Sequence, residues 1–200
     1  MVEQPGTQKG VENDDERLVR SFLEGNDSAF DRIVLIHKKF VFNLCYRLLG
    51  DYDDADDCAQ EVFIKIHRTL KGFRFESSFR TWLYRVAVNT CKNRIKSLEH
   101  RIGMRKVRLD MSNRSDSERV DIVDHGQSPA DELKRKEIGR LIQDAVAKLP
   151  AEQRLVVVLR DMNGRSYEEI AEITGLRLGT VKSKLSRARL RLRQLLEGAI

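Results

Sequence analysis

Three groups of side chains carry the chemistry this chain can offer. The first interleaves aromatics with cations: Phe73, Arg74, Phe75, Phe79, Arg80, Trp82, Tyr84 and Arg85. Unstacked nucleic-acid bases suit such a surface, because a base laid on a ring gains about 1–3 kcal/mol. Packing of Phe79, Trp82 and Leu83 into a core accounts equally well for part of the pattern. Asn89, Lys92, Asn93, Arg94 and Lys96 continue a polar, basic face. The second group spans residues 177–193, with seven basic residues and no acidic one. There Lys182, Ser183, Lys184, Ser186, Arg187 and Arg189 offer cations for phosphates and guanine edges, and hydroxyls for either. The third is acidic: Asp53, Asp54, Asp56 and Asp57, followed by Gln60 and Glu61. A helix's first turn attracts acids in any protein, but Gln60 and Glu61 lie beyond it and suit a basic partner.

None of these groups makes a catalytic centre. The dense aspartates lack histidine partners, so an enzyme acting on nucleic acid is disfavoured and no catalytic residue is assigned. Cys45, Cys58 and Cys91 are odd in number and widely spaced, without a C-x-x-C pair. His37, His67, His100 and His125 show no ligand spacing with them. The cysteines read as small core side chains in a reducing cytoplasm, with no disulfide, metal or other cofactor expected.

The elements that must position these groups are all helical. Residues 1–13 are polar without periodicity and read as disordered. Residues 14–24 form a short helix with Leu18, Val19, Phe22 and Leu23 on one face. Asp27 or Ser28 caps the next, whose apolar stripe runs from Phe30 through Ile33, His37, Val41 and Cys45 to Leu48. A third helix follows Asp51 to about Leu70, with Ala55, Cys58, Ala59, Val62, Phe63 and Ile66 inward. After the loop 71–77, Ser77 or Ser78 caps a long helix that ends near His100. Periodicity vanishes over 101–127, a polar stretch of mixed charge that reads as a flexible linker and a domain boundary. Ser128 and Pro129 open a helix marked by Leu133, Ile138, Leu141, Ile142, Ala145, Val146 and Leu149. Another covers roughly 151–161. Ser166 and Glu169 form a capping box at the start of 167–174, Gly175 ends that helix, and the last runs over about 178–196.

The expected fold class is therefore all-α, with two small helical domains over 14–100 and 128–200. Composition agrees: 34% charged, 40% hydrophobic and 6% aromatic residues, with three prolines, suit packed helices rather than strands. A net charge of +6 points to a polyanionic partner. Separate acidic and basic faces point to two partners. No apolar run approaches the roughly 18 residues that span a bilayer, and the first residues lack the apolar core of a secretion signal.

The segment SYEEIAEITGLRLGTVKSKLSRARLRLRQLL has the features of a helix-turn-helix, whose second helix can enter a major groove. Ile170, Ile173, Leu176, Val181 and Leu185 supply the shared core, and small Ala171 permits close approach. Two longer segments then carry a resemblance. DYDDADDCAQEVFIKIHRTLKGFRFESSFRTWLYRVAVNTCKNRIKS resembles region 2 of the extracytoplasmic-function (ECF) sigma factors of bacterial RNA polymerase. LPAEQRLVVVLRDMNGRSYEEIAEITGLRLGTVKSKLSRARLRL resembles their region 4.

The resemblance implies a division of labour. Asp57, Gln60 and Glu61 match positions that dock on the clamp helices of the polymerase's largest subunit. The loop 72–78, with Phe73, Arg74, Phe75 and Ser77, matches the one that captures a base flipped from the melted −10 element. Arg80 and Trp82 flank it, and Asn89, Lys92 and Asn93 fall where relatives contact the same element. Arg160, Arg177, Thr180, Lys182, Ser183, Lys184, Ser186 and Arg187 match positions that hold the −35 element as duplex. At Arg177 relatives often carry serine or proline, and arginine is a poor N-cap. The implied partners are core RNA polymerase, promoter DNA and an anti-sigma factor, with no small-molecule substrate. The implied place is the cytoplasm, at the inner membrane face if an anti-sigma factor holds the chain there. The competing reading is a dimeric helix-turn-helix regulator that binds operator DNA alone; it leaves the acidic face and the aromatic loop without a role.

Overall fold

The structure, a computed structural model, describes residues 5–106 and 129–197, with side chains over 14–98 and 137–197. Every regular element among them is helical. The first, α1, covers Pro5–Leu23. The disorder expected of 1–13 is thus corrected over 5–13. A polar helix has no apolar period to betray it, and proline is tolerated in a first turn because the amide it lacks has no partner there. Leu18, Val19 and Phe22 of α1 are buried against the next helix, and so is Asp15, whose Oδ1 meets His37 Nε2 at 2.8 Å.

Helix α2 spans Asp27–Leu49 and buries Ala29, Ile33, His37, Val41, Leu44, Cys45 and Leu48. Its N-cap is Asn26, one residue before the caps expected, and the Asn26 Oδ1 accepts from Ser28 Oγ at 2.7 Å. Helix α3, Tyr52–Thr69, is capped by Asp51, whose carboxylate accepts from the Asp54 amide at 2.9 Å. It turns inward Ala55, Cys58, Ala59, Val62 and Ile66, while Phe63 is only partly covered. A 3₁₀ turn, Leu70–Gly72, leads into the loop. Ser78 Oγ then accepts from the Thr81 amide at 3.1 Å and caps α4, Phe79–Lys106. Because α4 continues to Lys106, the start of the expected linker is helical; 107–127 and the expected cap Ser128 lie outside the described residues.

The carboxy-terminal half comprises α5 (Pro129–Ala147), α6 (Ala151–Val157), α7 (Tyr167–Thr174) and α8 (Leu178–Glu197). The helix expected over 151–161 changes character at Val158, where a π turn, Val158–Met162, follows α6. Leu155 to Leu159, Ile170, Ile173, Val181, Leu185 and Ala188 fill the core between these helices. Only part of the stripe expected of α5 is covered: Ala145 and Val146 are buried, whereas Ile138, Leu141 and Ile142 are exposed.

The two helical units pack against each other, α4 on α7, and α2 on α5, α6 and the π turn. Arg154 Nη1 donates to the Leu48 carbonyl at 2.6 Å, closing the end of α2. Arg47 Nη1 donates to the Met162 carbonyl at 3.3 Å and to Asn163 Oδ1 at 3.1 Å. Asn163 Nδ2 in turn donates to the Tyr84 hydroxyl at 3.2 Å, and the Arg165 guanidinium lies 5.2 Å from the Tyr84 ring. Among the described residues no helix is long and apolar enough to cross a membrane.

Candidate nucleic-acid interface

Three surfaces emerge once the helices are placed. On α3, Asp57, Gln60 and Glu61 are all exposed. They do not stand alone. Gln60 Nε2 donates to Asp56 Oδ2 at 2.9 Å, and Glu61 pairs with Lys65 at 2.6 Å. Arg94 crosses from α4 to bind Asp54 through Nε and Nη2, at 3.1 and 2.7 Å, and Asp57 at 3.0 Å. Its charge is thereby held even more firmly than usual, chiefly through the hydrogen bond to Asp54. Arg94, grouped from sequence with the basic face of α4, belongs instead to the acidic one. Sequence reasoning also missed Ile64, which is 51% exposed three residues after Glu61 and gives this face an apolar centre. Its spacing of three and seven from Glu61 and Asp57 was the available signal.

The second surface is the loop and the start of α4. Phe73 is buried, with its ring centroid 4.8 Å from Phe75 and 5.4 Å from Trp82. Phe73, expected among the −10 contacts, thus packs beneath the loop in this structure. Phe75 is partly buried and is the only described non-glycine residue with positive φ, 57°. Such backbone is sterically costly, and it is found where surroundings force it, often at functional sites. The Arg20 guanidinium lies 4.3 Å above the Phe75 ring, a cation–π contact that links α1 to the loop. Arg74 is exposed; Ser77 and Arg80 are half-buried, with Arg80 5.6 Å from the Phe40 ring. Trp82 is half-buried against Phe73 and Phe79.

Further along α4, Asn89 and Asn93 are exposed and one turn apart, so they share a face. Lys92 is turned towards the other unit, where its Nζ donates to the Thr174 carbonyl at 3.4 Å. Burial lowers its pKa from the ordinary lysine value, and the nearby Glu152 charge partly opposes this. Arg85 joins α7 in the same way, pairing with the Glu172 carboxylate at 2.7 Å and its carbonyl at 3.2 Å.

The third surface is the helix-turn-helix. The capping box forms as expected: the Glu169 amide donates to Ser166 Oγ at 3.0 Å and the Ser166 amide to Glu169 Oε2 at 2.6 Å. Gly175, with φ of 72°, ends α7 in the left-handed region. The Arg177 carbonyl accepts from the Thr180 and Val181 amides at 2.8 and 3.0 Å, so Arg177 starts α8 through its backbone and leaves its side chain exposed. Lys182, Ser186 and Arg187 are exposed, and Thr180 and Ser183 half-buried. Arg187 Nε donates back to the Ser183 carbonyl at 3.3 Å. Arg160 lies 4.8 Å and Lys182 5.7 Å from the Tyr167 ring, which sequence reasoning did not single out. Lys184 pairs with Glu152 of α6, and that hydrogen bond lowers the Glu152 pKa. Arg189 likewise pairs with Asp161 on the π turn.

Residues 33–101 match the family described as Sigma-70 region 2, and residues 139–192 that described as Sigma-70, region 4. The chain is similar to the RNA polymerase sigma-H factor of Pseudomonas aeruginosa, with 36% identity over 183 residues, 90% of this chain and 92% of that protein. It is also similar to the ECF RNA polymerase sigma-E factor of Haemophilus influenzae, at 35% identity over 178 residues, 88% of this chain and 91% of that protein. Its fold is shared with the Bartonella quintana sigma factor RpoE, solved in complex with the anti-sigma factor NepR. That likeness has a TM-score of 0.64 and 24% identity, covering 84% of this chain and 96% of that one. The chain belongs to the extracytoplasmic-function sigma factors of bacterial RNA polymerase. As a sigma factor it directs promoter-specific transcription initiation, a DNA-binding role; operator binding as an independent dimer is not favoured.

Proposed function

We propose that the three surfaces divide the work of initiation as follows. The α3 face of Asp57, Gln60, Glu61 and Ile64 docks on the clamp helices of core polymerase. Arg74, Phe75, Ser77, Arg80 and Trp82, with Asn89, Lys92 and Asn93 of α4, hold the −10 element as a separated strand. Arg160, Arg177, Thr180, Lys182, Ser183, Ser186 and Arg187 hold the −35 element as duplex, joined by Lys184 once it leaves Glu152. The observation that carries this reading is the separation of two exposed faces: acids around Ile64 on α3, cations and hydroxyls on α8.

Strand separation costs several kcal/mol, which capture of an extruded base offsets in part. Two weak DNA sites act as one only when held at the correct spacing, and polymerase supplies that frame. Lys92 cannot meet DNA while it donates to Thr174, so engagement of both promoter elements parts α4 from α7. An anti-sigma factor is the regulatory partner expected by analogy with the Bartonella quintana complex, and the cytoplasm is the expected location.

Run-off transcription with purified core polymerase and a promoter library tests this assignment. Adding the chain should confer start-site selectivity, and Glu61→Lys should abolish it by weakening polymerase binding. Tight, specific binding of promoter duplex by the free chain would contradict the reading.

A further inference from the structure

The core of the amino-terminal unit contains a grouping that neither promoter nor polymerase contact requires. Cys45 of α2, Cys58 of α3 and Cys91 of α4 each come from a different helix. Cys91 Sγ lies 3.6 Å from Cys58 Sγ and 3.6 Å from Cys45 Sγ, and all three sulfurs fall within 4.8 Å of one another. The three are buried free thiols. A central atom with bonds of about 2.3 Å spaces tetrahedral thiolates about 3.8 Å apart. The sulfurs therefore stand near ligand spacing already.

Charge and coordination number choose the occupant. Zinc takes four ligands, yet no histidine or carboxylate joins the group among the described residues. One turn along the same helices stand Val41, Leu48, Ala55, Val62 and Ala87, all buried, so a water in the fourth position would sit in an apolar core. Three thiolates around a monovalent ion leave two negative charges in that core, and around a divalent ion they leave one; buried net charge is strongly disfavoured. A trivalent centre leaves none.

We propose that Cys45, Cys58 and Cys91 form a three-thiolate binding site for a trivalent thiophilic metalloid, with arsenite as the probe. The reaction balances without an oxidant or reductant. Arsenous acid loses three hydroxyls, each thiol loses its hydrogen, three arsenic–sulfur bonds form and three waters leave. The sulfurs are inaccessible in the closed core, so uptake waits on local opening and is slow. Cys58 directly follows Asp57, and Cys91 lies between Asn89 and Asn93. Occupancy therefore ties α2, α3 and α4 together beneath both the polymerase-facing and the −10-facing surfaces.

Intact-mass spectrometry of the reduced full-length chain with arsenite tests the site. The expected product gains one arsenic atom less three hydrogens, and its reactive thiols on unfolding fall from three to none. Its thermal midpoint rises, because a ligand held by the folded state stabilises it. Cys45→Ser and Cys91→Ser should lose the three-bond adduct while circular dichroism shows them folded. The proposal is overturned if the folded chain forms no adduct, or if the wild-type adduct keeps a hydroxyl. It is equally overturned if arsenite lowers the melting midpoint, or if copper(I) or zinc binds where arsenite does not. These readouts concern the wild-type chain and hold even if a variant fails to fold.

Discussion

Single side chains in the loop before α4 separate into buried and partly open. Phe73 is buried against Phe75, Phe79 and Trp82, whereas Phe75 is held partly open by a left-handed backbone under Arg20. Replacing Phe73 with alanine removes a core ring and should cost about 3–5 kcal/mol in chemical denaturation. Phe75→Ala should cost far less stability yet reduce permanganate-detected promoter melting, because a base would lose its stacking surface. Equal stability losses for both variants would show that Phe75 too is core. Residue types and spacing marked the loop as aromatic and basic, but they could not tell which ring points inward. That choice depends on α1 and α4 meeting over the loop. The same applies to Lys184 and Arg94, whose acidic partners lie on other helices.

At the scale of elements, the helix-turn-helix was the most legible part, because its signals are local. A capping box, a terminating glycine and an apolar stripe all act within a few residues, and each forms as read. Gly175→Ala illustrates this. A Cβ there would meet nothing within 4 Å, so the cost is backbone conformation alone, about 1–2 kcal/mol. Thermal melting should show that loss, and the variant's −35-dependent transcription should fall while −10 melting on a pre-opened template persists. What sequence could not show at this scale has physical reasons. The π turn at Val158–Met162 leaves the apolar run unbroken, and α1 begins in residues without amphipathic period. The convergence of the three cysteines depends on how α2, α3 and α4 pack, which spacing along the chain does not encode.

For the whole molecule, the two helical units are closed on each other through α4 and α7. Arg85 and Glu172 are each about 40% exposed, so their pair contributes modestly, within about 1 kcal/mol. Reversing one partner replaces attraction with repulsion. Glu172→Arg should therefore enlarge the radius of gyration in small-angle scattering, and the double reversal Arg85→Glu with Glu172→Arg should restore it. Unchanged scattering in the single variant would mean that the Arg47, Arg154 and Tyr84 contacts hold the units together unaided.

The Asp15–His37 pair has a practical corollary for anyone dissecting this protein. Trimming the chain at residue 25, in the turn between α1 and α2, would strip a carboxylate from an imidazole in the interior and uncover the seat of Leu18, Val19 and Phe22. A recombinant piece cut there would carry an orphaned polar group and a greasy furrow, and would tend to clump in the tube. Any fragment meant to stand for the front half should start upstream of Asp15.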